Sequence, residues 1–137
     1  MVKLNQNLLL EVLTNKTWEE HYGGLNWETH LKFEKDGTGI CIIRESKIKE
    51  AQVYNFTFTL TGDQLHITIP DLNLEVDWTI EIEKYPDVLM QNLLSHKHAL
   101  KLPDHPYKLI KDWLAKKAHT PDIADFYQYS FTEESDQ

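Results

Sequence analysis

The sequence predicts a mainly β fold: an eight-stranded antiparallel up-and-down barrel with a short N-terminal helix, a C-terminal helix and a final strand. Two observations predict it. Most of the chain alternates apolar and polar residues with a period of two, and short turn signals separate the alternating runs. About eight sequential strands in one open sheet would leave two exposed edges, and closing the sheet into a barrel removes those edges.

Residues 73–83 show the alternation most clearly. The even-numbered positions are apolar: Leu74, Val76, Trp78, Ile80 and Ile82. The odd-numbered positions from 75 onward are polar and mostly acidic: Glu75, Asp77, Thr79, Glu81 and Glu83. Successive side chains of a strand point to opposite faces, so this segment has one core face and one acidic, solvated face. The acidic row is therefore expected to face water rather than to supply paired catalytic carboxylates.

The same pattern predicts the other elements in chain order. The first five strands are expected at residues 14–22, 27–34, 38–46, 53–60 and 64–69, and 73–83 is the sixth. The seventh and eighth are expected at 88–94 and 96–102, and the final strand at 123–131. An N-terminal helix is predicted at 5–13 with Asn5 or Asn7 as its N-cap, and a C-terminal helix from an Asp104 cap to about Lys117. That second helix carries an apolar stripe of Tyr107, Ile110, Trp113 and Leu114.

The hairpin between the second and third strands leaves one register open. Asp36 and Gly37 separate two alternating runs, which is a strong hairpin signal. A three-residue loop would turn Gly39, Cys41 and Ile43 inward, whereas a two-residue loop would turn Ile40, Ile42 and Arg44 inward. The inward or outward position of Arg44 depends on this choice.

Length, charge and cysteine content restrict the class of protein. The chain has 137 residues, 41% of them hydrophobic, which fits a single domain at 1–131 followed by a disordered acidic tail at 132–137. The net charge of −8 argues against nucleic acid and anionic membrane as partners. A single cysteine, Cys41, excludes an internal disulfide, and no stretch has a signal peptide's pattern or the ~20 apolar residues of a membrane span. A cytoplasmic location is expected.

Short motifs along the chain resemble the lipocalin-like, or calycin, superfamily. They are Asn15-Lys16-Thr17-Trp18, the hairpin from Leu31 to Gly39, and the hairpin from Phe58 to Ile67. A helix after the eighth strand, followed by a further strand, is also similar to the lipocalin tail. The sequence differs in having Lys16 where lipocalins typically have a glycine. The resemblance implies a barrel that binds a small, mainly apolar molecule at its open end, with Trp18 closing the other end.

Aromatic residues on the inward faces are the candidate ligand-binding residues. Such pockets are mostly apolar with a few placed polar groups. The candidates are Trp27, Tyr54, Phe56, Phe58 and Trp78, with Arg44 and His98 as polar anchors. The same aromatic side chains could instead fill a solid barrel, because an eight-stranded barrel is near the size at which side chains alone fill the interior.

The sequence indicates no metal, cofactor or catalytic machinery. His96 and His98 share a strand face, but no recognised metal-ligand spacing accompanies them. No phosphate-binding glycine loop, Gly-x-Ser-x-Gly turn or Cys-His pairing is found in the sequence. An isomerase or decarboxylase that uses inward Tyr, His and Arg residues is kept as a weaker alternative.

Two functions from different classes remain. The first is a non-catalytic carrier or sensor for a small hydrophobic ligand held inside the barrel. The alternative is a protein-interaction module with a solid barrel, in which the C-terminal helix and the aromatic segment 126–131 form an interface or a homodimer contact.

Overall fold

The architecture is taken from a computed structural model, which describes residues 2–22, 27–45, 50–84, 98–118 and 129–133. Two helices lie in this part of the chain: α1 (Gln6–Leu13) and α2 (Pro106–Leu114). A 3₁₀ turn spans Pro70–Leu72. The strands are β1 (Val2–Lys3), β2 (Trp18–Tyr22), β3 (Trp27–Phe33), β4 (Thr38–Arg44), β5 (Gln52–Thr61), β6 (Gln64–Ile69), β7 (Leu74–Thr79), β8 (Glu81–Lys84), β9 (His98–Leu102) and β10 (Tyr129–Glu133).

The strands form one antiparallel sheet in the order β1-β8-β9-β10-β2-β3-β4-β5-β6-β7. From β2 to β7 each strand pairs with the next along the chain, as the short turns predict. β10 lies between β9 and β2, so it joins this meander to the β8–β9 pair. The mainly β, antiparallel fold expected from the alternation is confirmed.

The sheet is an open, curled half-barrel rather than the closed eight-stranded barrel that we expected. The predicted sixth strand is two strands, β7 and β8, separated by Ile80 alone. β7 pairs with β6, whereas β8 pairs with β9 and β1. One residue thus connects strands from opposite ends of the strand order, which requires the sheet to curl. Within the described residues no ladder links β7 to β1 or β8, so hydrogen bonding does not close the curl.

The β3–β4 hairpin resolves the open register. Phe33 pairs with Gly39, and the loop between Glu34 and Thr38 has three residues. Gly37 takes a left-handed conformation with φ 90°, and Asp36 accepts hydrogen bonds from both the backbone N–H and the hydroxyl of Thr38. The buried positions of β4 are therefore Gly39, Cys41 and Ile43. The alternative that turned Ile40, Ile42 and Arg44 inward is wrong.

The other predicted faces are confirmed by burial. The concave face of the sheet carries these buried side chains: Trp18, Thr29, Leu31, Phe33, Phe56, Phe58, Leu65, Ile67, Ile69, Leu74, Trp78, Ile82, Leu100 and Phe131. Glu75, Asp77 and Thr79 are exposed on the convex face of β7. An aliphatic and aromatic core therefore lies on the concave side of the sheet, and the convex face of β7 meets water.

The N-terminal helix covers one part of this core. Asn5 is its N-cap, since its side-chain oxygen accepts a hydrogen bond from the backbone N–H of Asn7 at 2.9 Å. Leu9 and Leu13 are buried on the inner side of α1. The indole N–H of Trp18, which is fully buried, donates to the carbonyl oxygen of Leu13 at 3.0 Å. α1 and Trp18 thus form one packed unit.

The C-terminal helix begins one residue later than predicted. Its N-cap is His105, whose Nδ1 accepts a hydrogen bond from the backbone N–H of Tyr107, while Asp104 lies before the cap. Pro106 favours this start, because a proline disfavours the helical conformation of the residue before it, and His105 is extended with φ −92° and ψ 118°. The apolar stripe is buried only in part: Tyr107 and Ile110 are buried, whereas Trp113 and Leu114 are exposed.

Two predictions near the chain's second half have different outcomes. The seventh strand, expected at 88–94, lies outside the described residues. The final strand is observed at Tyr129–Glu133, so it continues past the boundary that we placed at Phe131. Glu133 is buried rather than part of a solvated tail, because it pairs with Trp18 of β2 and its carboxylate accepts hydrogen bonds from His98 of β9.

Candidate functional site

Three of the predicted ligand-binding aromatics, Phe56, Phe58 and Trp78, lie on the concave face and are buried in the core. Phe33, Phe56 and Phe58 form an edge-to-face trio with ring centroids 5.2–6.4 Å apart. Trp78 is buried nearby in the same core cluster. Trp27 begins β3, and its side chain lies outside the described residues. These contacts stabilise the fold, and the exposed surface of the aromatic cluster is small.

One cavity between the sheet and α2 has room for about one water molecule. A cavity of about 20 Å³ lies among core side chains of the sheet and α2. Its lining residues are Leu31, Cys41, Phe56, Ile67, Ile69, Val76, Trp78, Pro106, Leu109 and Ile110. In this part of the concave face, α2 occupies the space that a ligand would need.

Arg44 is exposed at the end of β4, on the convex face. Its neighbour in the β3–β4 ladder is Glu28 of β3, which also faces away from the core. The three-residue hairpin loop sets this orientation. Arg44 is therefore not positioned to bind a ligand on the concave face, and we correct that candidate.

His98 lies where an inward polar anchor was expected, and its partner is Glu133. One carboxylate oxygen of Glu133 accepts a hydrogen bond from the backbone N–H of His98 at 2.7 Å and from its ring Nδ1–H at 3.1 Å. Glu133 is 1% exposed and His98 is half-buried. Donation from Nδ1 leaves Nε2 as the acceptor nitrogen of the neutral ring. The pair fixes the tautomer of an imidazole on the inner side of the sheet.

A second histidine–carboxylate pair connects α2 to the sheet. The Nε2–H of His105 donates to Glu20 Oε1, and both side chains are largely buried. The same ring accepts from Tyr107 N through Nδ1 at 3.2 Å, so both ring nitrogens are engaged in the neutral form. Asp104, also buried, accepts from the backbone N–H of His105 at 2.9 Å. The start of α2 is thereby held against β2.

A surface pocket of about 90 Å³ lies between the outer edge of α2 and the ends of β4 and β5. It is lined by Ile43, Glu45, Gln52, Tyr107, Ile110, Lys111 and Leu114. Tyr54, one of the predicted ligand residues, is half-buried beside it and donates from its hydroxyl to Gln52 Oε1 at 3.1 Å. Burial raises the pKa of Tyr54, so the phenol stays protonated and acts as a donor. The pocket combines an apolar floor with several polar groups.

Cys41 is buried in the core, and burial raises the pKa of its thiol to about 12. A thiol with this pKa stays protonated at neutral pH and is a poor nucleophile. Within the described residues no group of three or more His, Cys, Asp or Glu side chains has a metal-binding arrangement.

Sequence analysis missed three of the largely buried polar residues on the concave side: Glu20, His105 and Glu133. Two of them gave a usable signal. Glu20 is two residues after Trp18, so it shares the inward face, and Pro106 marks His105 as the cap. Glu133 gave none, because an acidic segment is typical of a solvated tail.

The aromatic segment of the alternative function does not form a surface where it is described. Phe131 is fully buried between β9 and β2. Residues 126–128 and the side chain of Tyr129 lie outside the described residues. The exposed apolar surface of the C-terminal region is instead at the end of α2, where Trp113 is 45% exposed and Leu114 is 53% exposed.

Comparison with known proteins finds no match to the chain among protein-family models, curated proteins or solved structures. The described helices include none with the length and apolar character needed to cross a membrane.

Proposed function

We propose that the protein binds a small, largely apolar molecule on the concave face of its curled sheet, in the manner of the lipocalin-like barrels that its sequence resembles. The proposal includes a non-catalytic role, as a carrier or sensor, and a cytoplasmic location. The ligand would reach this face from the edge of α2.

One observation carries the proposal: Ile110 lines both the 20 Å³ core cavity and the 90 Å³ surface pocket. A single aliphatic side chain on a nine-residue helix therefore lies between the aromatic core and a pocket open to solvent. Side chains and short helices rearrange far more readily than a hydrogen-bonded sheet. Displacing Ile110 and Leu109 would expose the aromatic face to a ligand without breaking a strand pairing.

The first measurement is native mass spectrometry of the freshly purified protein beside its denatured mass. A discrete added mass that disappears on denaturation supports a bound small molecule and begins to identify it. The same spectrum gives the number of subunits.

The second test enlarges the path past Ile110. We expect Ile110→Ala to bind the neutral apolar dye Nile red several-fold more tightly than the unaltered protein, with quenching of tryptophan fluorescence. Val53→Ala, at an exposed position on the convex face that lines neither cavity, is the control and should leave dye binding near the original level. Unchanged binding by a folded Ile110→Ala protein contradicts the proposal. Because Ile→Ala costs about 2–5 kcal/mol of stability, Ile110→Val serves as the milder variant.

Exposed apolar residues at the end of α2 favour a second candidate, a protein interface or homodimer contact. Trp113 donates its indole N–H to the carbonyl oxygen of Leu72 at 2.7 Å, which fixes the exposed ring against the sheet. Fixed aromatic side chains are common anchors of interfaces. If light scattering finds a dimer, Leu114→Glu should convert it to a monomer, and Lys108→Glu on the same helix should not. Truncation after Thr120 is unsuitable for this purpose because it also removes β10.

A further inference from the structure

We propose that the surface pocket at the edge of α2 binds the carboxylate of an amphipathic small molecule, with Lys111 and Gln52 as its hydrogen-bond donors. This inference rests on the proposed function and adds the chemical class of the ligand. The apolar remainder of the ligand would contact Ile43, Ile110 and Leu114.

Lys111 is held in place, unlike an ordinary surface lysine. Its Nζ donates to the hydroxyl of Tyr107 at 3.0 Å and lies 5.3 Å from the centroid of the same ring. Tyr107 is itself buried, so the ammonium group is attached to a rigid support. A positioned cation loses less side-chain entropy on binding than a free one. An ammonium has three N–H donors, which leaves capacity for a ligand oxygen.

Gln52 is oriented by its neighbour. The Oε1 atom of Gln52 accepts a hydrogen bond from the hydroxyl of Tyr54 at 3.1 Å. The amide NH₂ of Gln52 therefore points away from Tyr54 and can donate to a ligand. Both Gln52 and Lys111 line the same pocket. Tyr54 therefore acts as a positioning residue, and two N–H donor groups are available to one small anion.

The size of the pocket sets how much of the ligand it holds. A volume of about 90 Å³ is roughly three water molecules, enough for a carboxylate and a few carbons. A longer apolar chain must continue past Ile110 toward the core cavity. The affinity should then rise with chain length by about fourfold per buried methylene, the value expected for apolar transfer.

The charge balance favours a singly charged head group. Glu45 lines the pocket with Lys111, and the hydrogen bond that Lys111 donates to the hydroxyl of Tyr107, together with the charge of Glu45, raises the pKa of Lys111. The lysine thus stays cationic at neutral pH. The nearby carboxylate would repel a doubly charged phosphate more strongly than a carboxylate.

The test compares octanoate, 1-octanol and octyl phosphate by isothermal titration calorimetry on the full-length protein. We expect octanoate to bind at least fivefold more tightly than 1-octanol and more tightly than octyl phosphate. Lys111→Met should abolish the advantage of octanoate over octanol, and Lys108→Met should preserve it. Glu45→Gln should strengthen octanoate binding several-fold, and Gln52→Leu should weaken it.

The outcomes separate this inference from the function on which it rests. Equal binding of octanoate and octanol, or an octanoate advantage that survives Lys111→Met, overturns the carboxylate assignment and leaves the apolar site intact. If no probe binds and Ile110→Ala also fails to bind Nile red, the proposed function itself is wrong. Tighter binding of octyl phosphate would replace the carboxylate by a phosphate and would equally overturn the assignment.

Discussion

Imidazole–carboxylate pairs are found on both faces of the sheet, and they differ in burial and in contact distance. On the convex face, His66 lies 2.6 Å from Asp77, with side chains 40% and 78% exposed. On the concave face, His98 lies 3.1 Å from a Glu133 that is almost completely buried. The shorter contact belongs to the exposed pair. Distance alone therefore does not rank such pairs, because water can replace the outer bond but has little access to the inner one.

The largest effect is expected from adding one methyl group to the concave face. In Gly39→Ala, the new Cβ would lie 2.2 Å from the ring of Phe56 and 2.7 Å from the backbone oxygen of Lys32. A backbone atom cannot move aside cheaply, so we expect a loss of about 3 kcal/mol. Urea unfolding followed by circular dichroism measures it. Ile40→Ala, the neighbouring convex position, should cost less than about 1 kcal/mol; equal losses would contradict the difference between the faces.

Glu133→Ala tests the inner pair directly. The substitution removes the acceptor of two His98 N–H groups in a buried setting, and we expect a loss of about 2 kcal/mol. The matched control on the convex face is Asp77→Ala, which removes an exposed carboxylate from its histidine. Similar unfolding free energies for the two variants would show that burial does not distinguish them.

Substitutions of His105, at the start of α2, should lower the stability by a smaller amount. Part of that loss comes from the helix cap and part from the contact with Glu20. His105→Ala removes both the helix cap and the contact with Glu20, for an expected loss of about 1.5 kcal/mol. Asn is also a good N-cap, so His105→Asn should recover part of that loss. Thermal unfolding compares the two variants. An Asn variant no more stable than the Ala variant would exclude a capping role.

The smallest effect is expected for the exposed pair of His66 and Asp77, and it is a change in the pKa of His66. The hydrogen bond to Asp77 raises the pKa of His66 above its ordinary value of 6.5. The stability from this pair is therefore present below pH 6.5 and is lost as the pH rises through the folded-state pKa. Asp77→Asn should lower the His66 pKa toward its ordinary value, as read from its ring ¹H shifts. A His66 pKa unaffected by Asp77→Asn would refute the assignment.

Period-two alternation predicted which residues face the core and which face the solvent, because successive side chains of a strand point to opposite faces. It predicted residues 73–83 as one strand, with inward and outward positions that are observed. It could not show that the strand changes neighbours at Ile80, because partner choice depends on segments distant in the sequence. The closed barrel was wrong for that reason.

The candidate site was predicted less well than the fold. The aromatic positions Phe56, Phe58 and Trp78 lie on the concave face as expected, but whether they leave a cavity depends on how α2 packs. The orientation of Arg44 depended on a single residue of loop length. Glu133 acquires its buried position from a histidine 35 residues earlier in the chain, and no local pattern reports that contact.

The position of β10 in the sheet has a consequence for synthesis of the chain. Of the described strands it is the last to be made, yet it lies between β9 and β2. A nascent chain that has not reached residue 129 leaves two strand edges unpaired at the centre of the future sheet. Such edges readily pair with other chains. During the interval between translation of β9 and of β10, these two edges are therefore open to pairing with other chains.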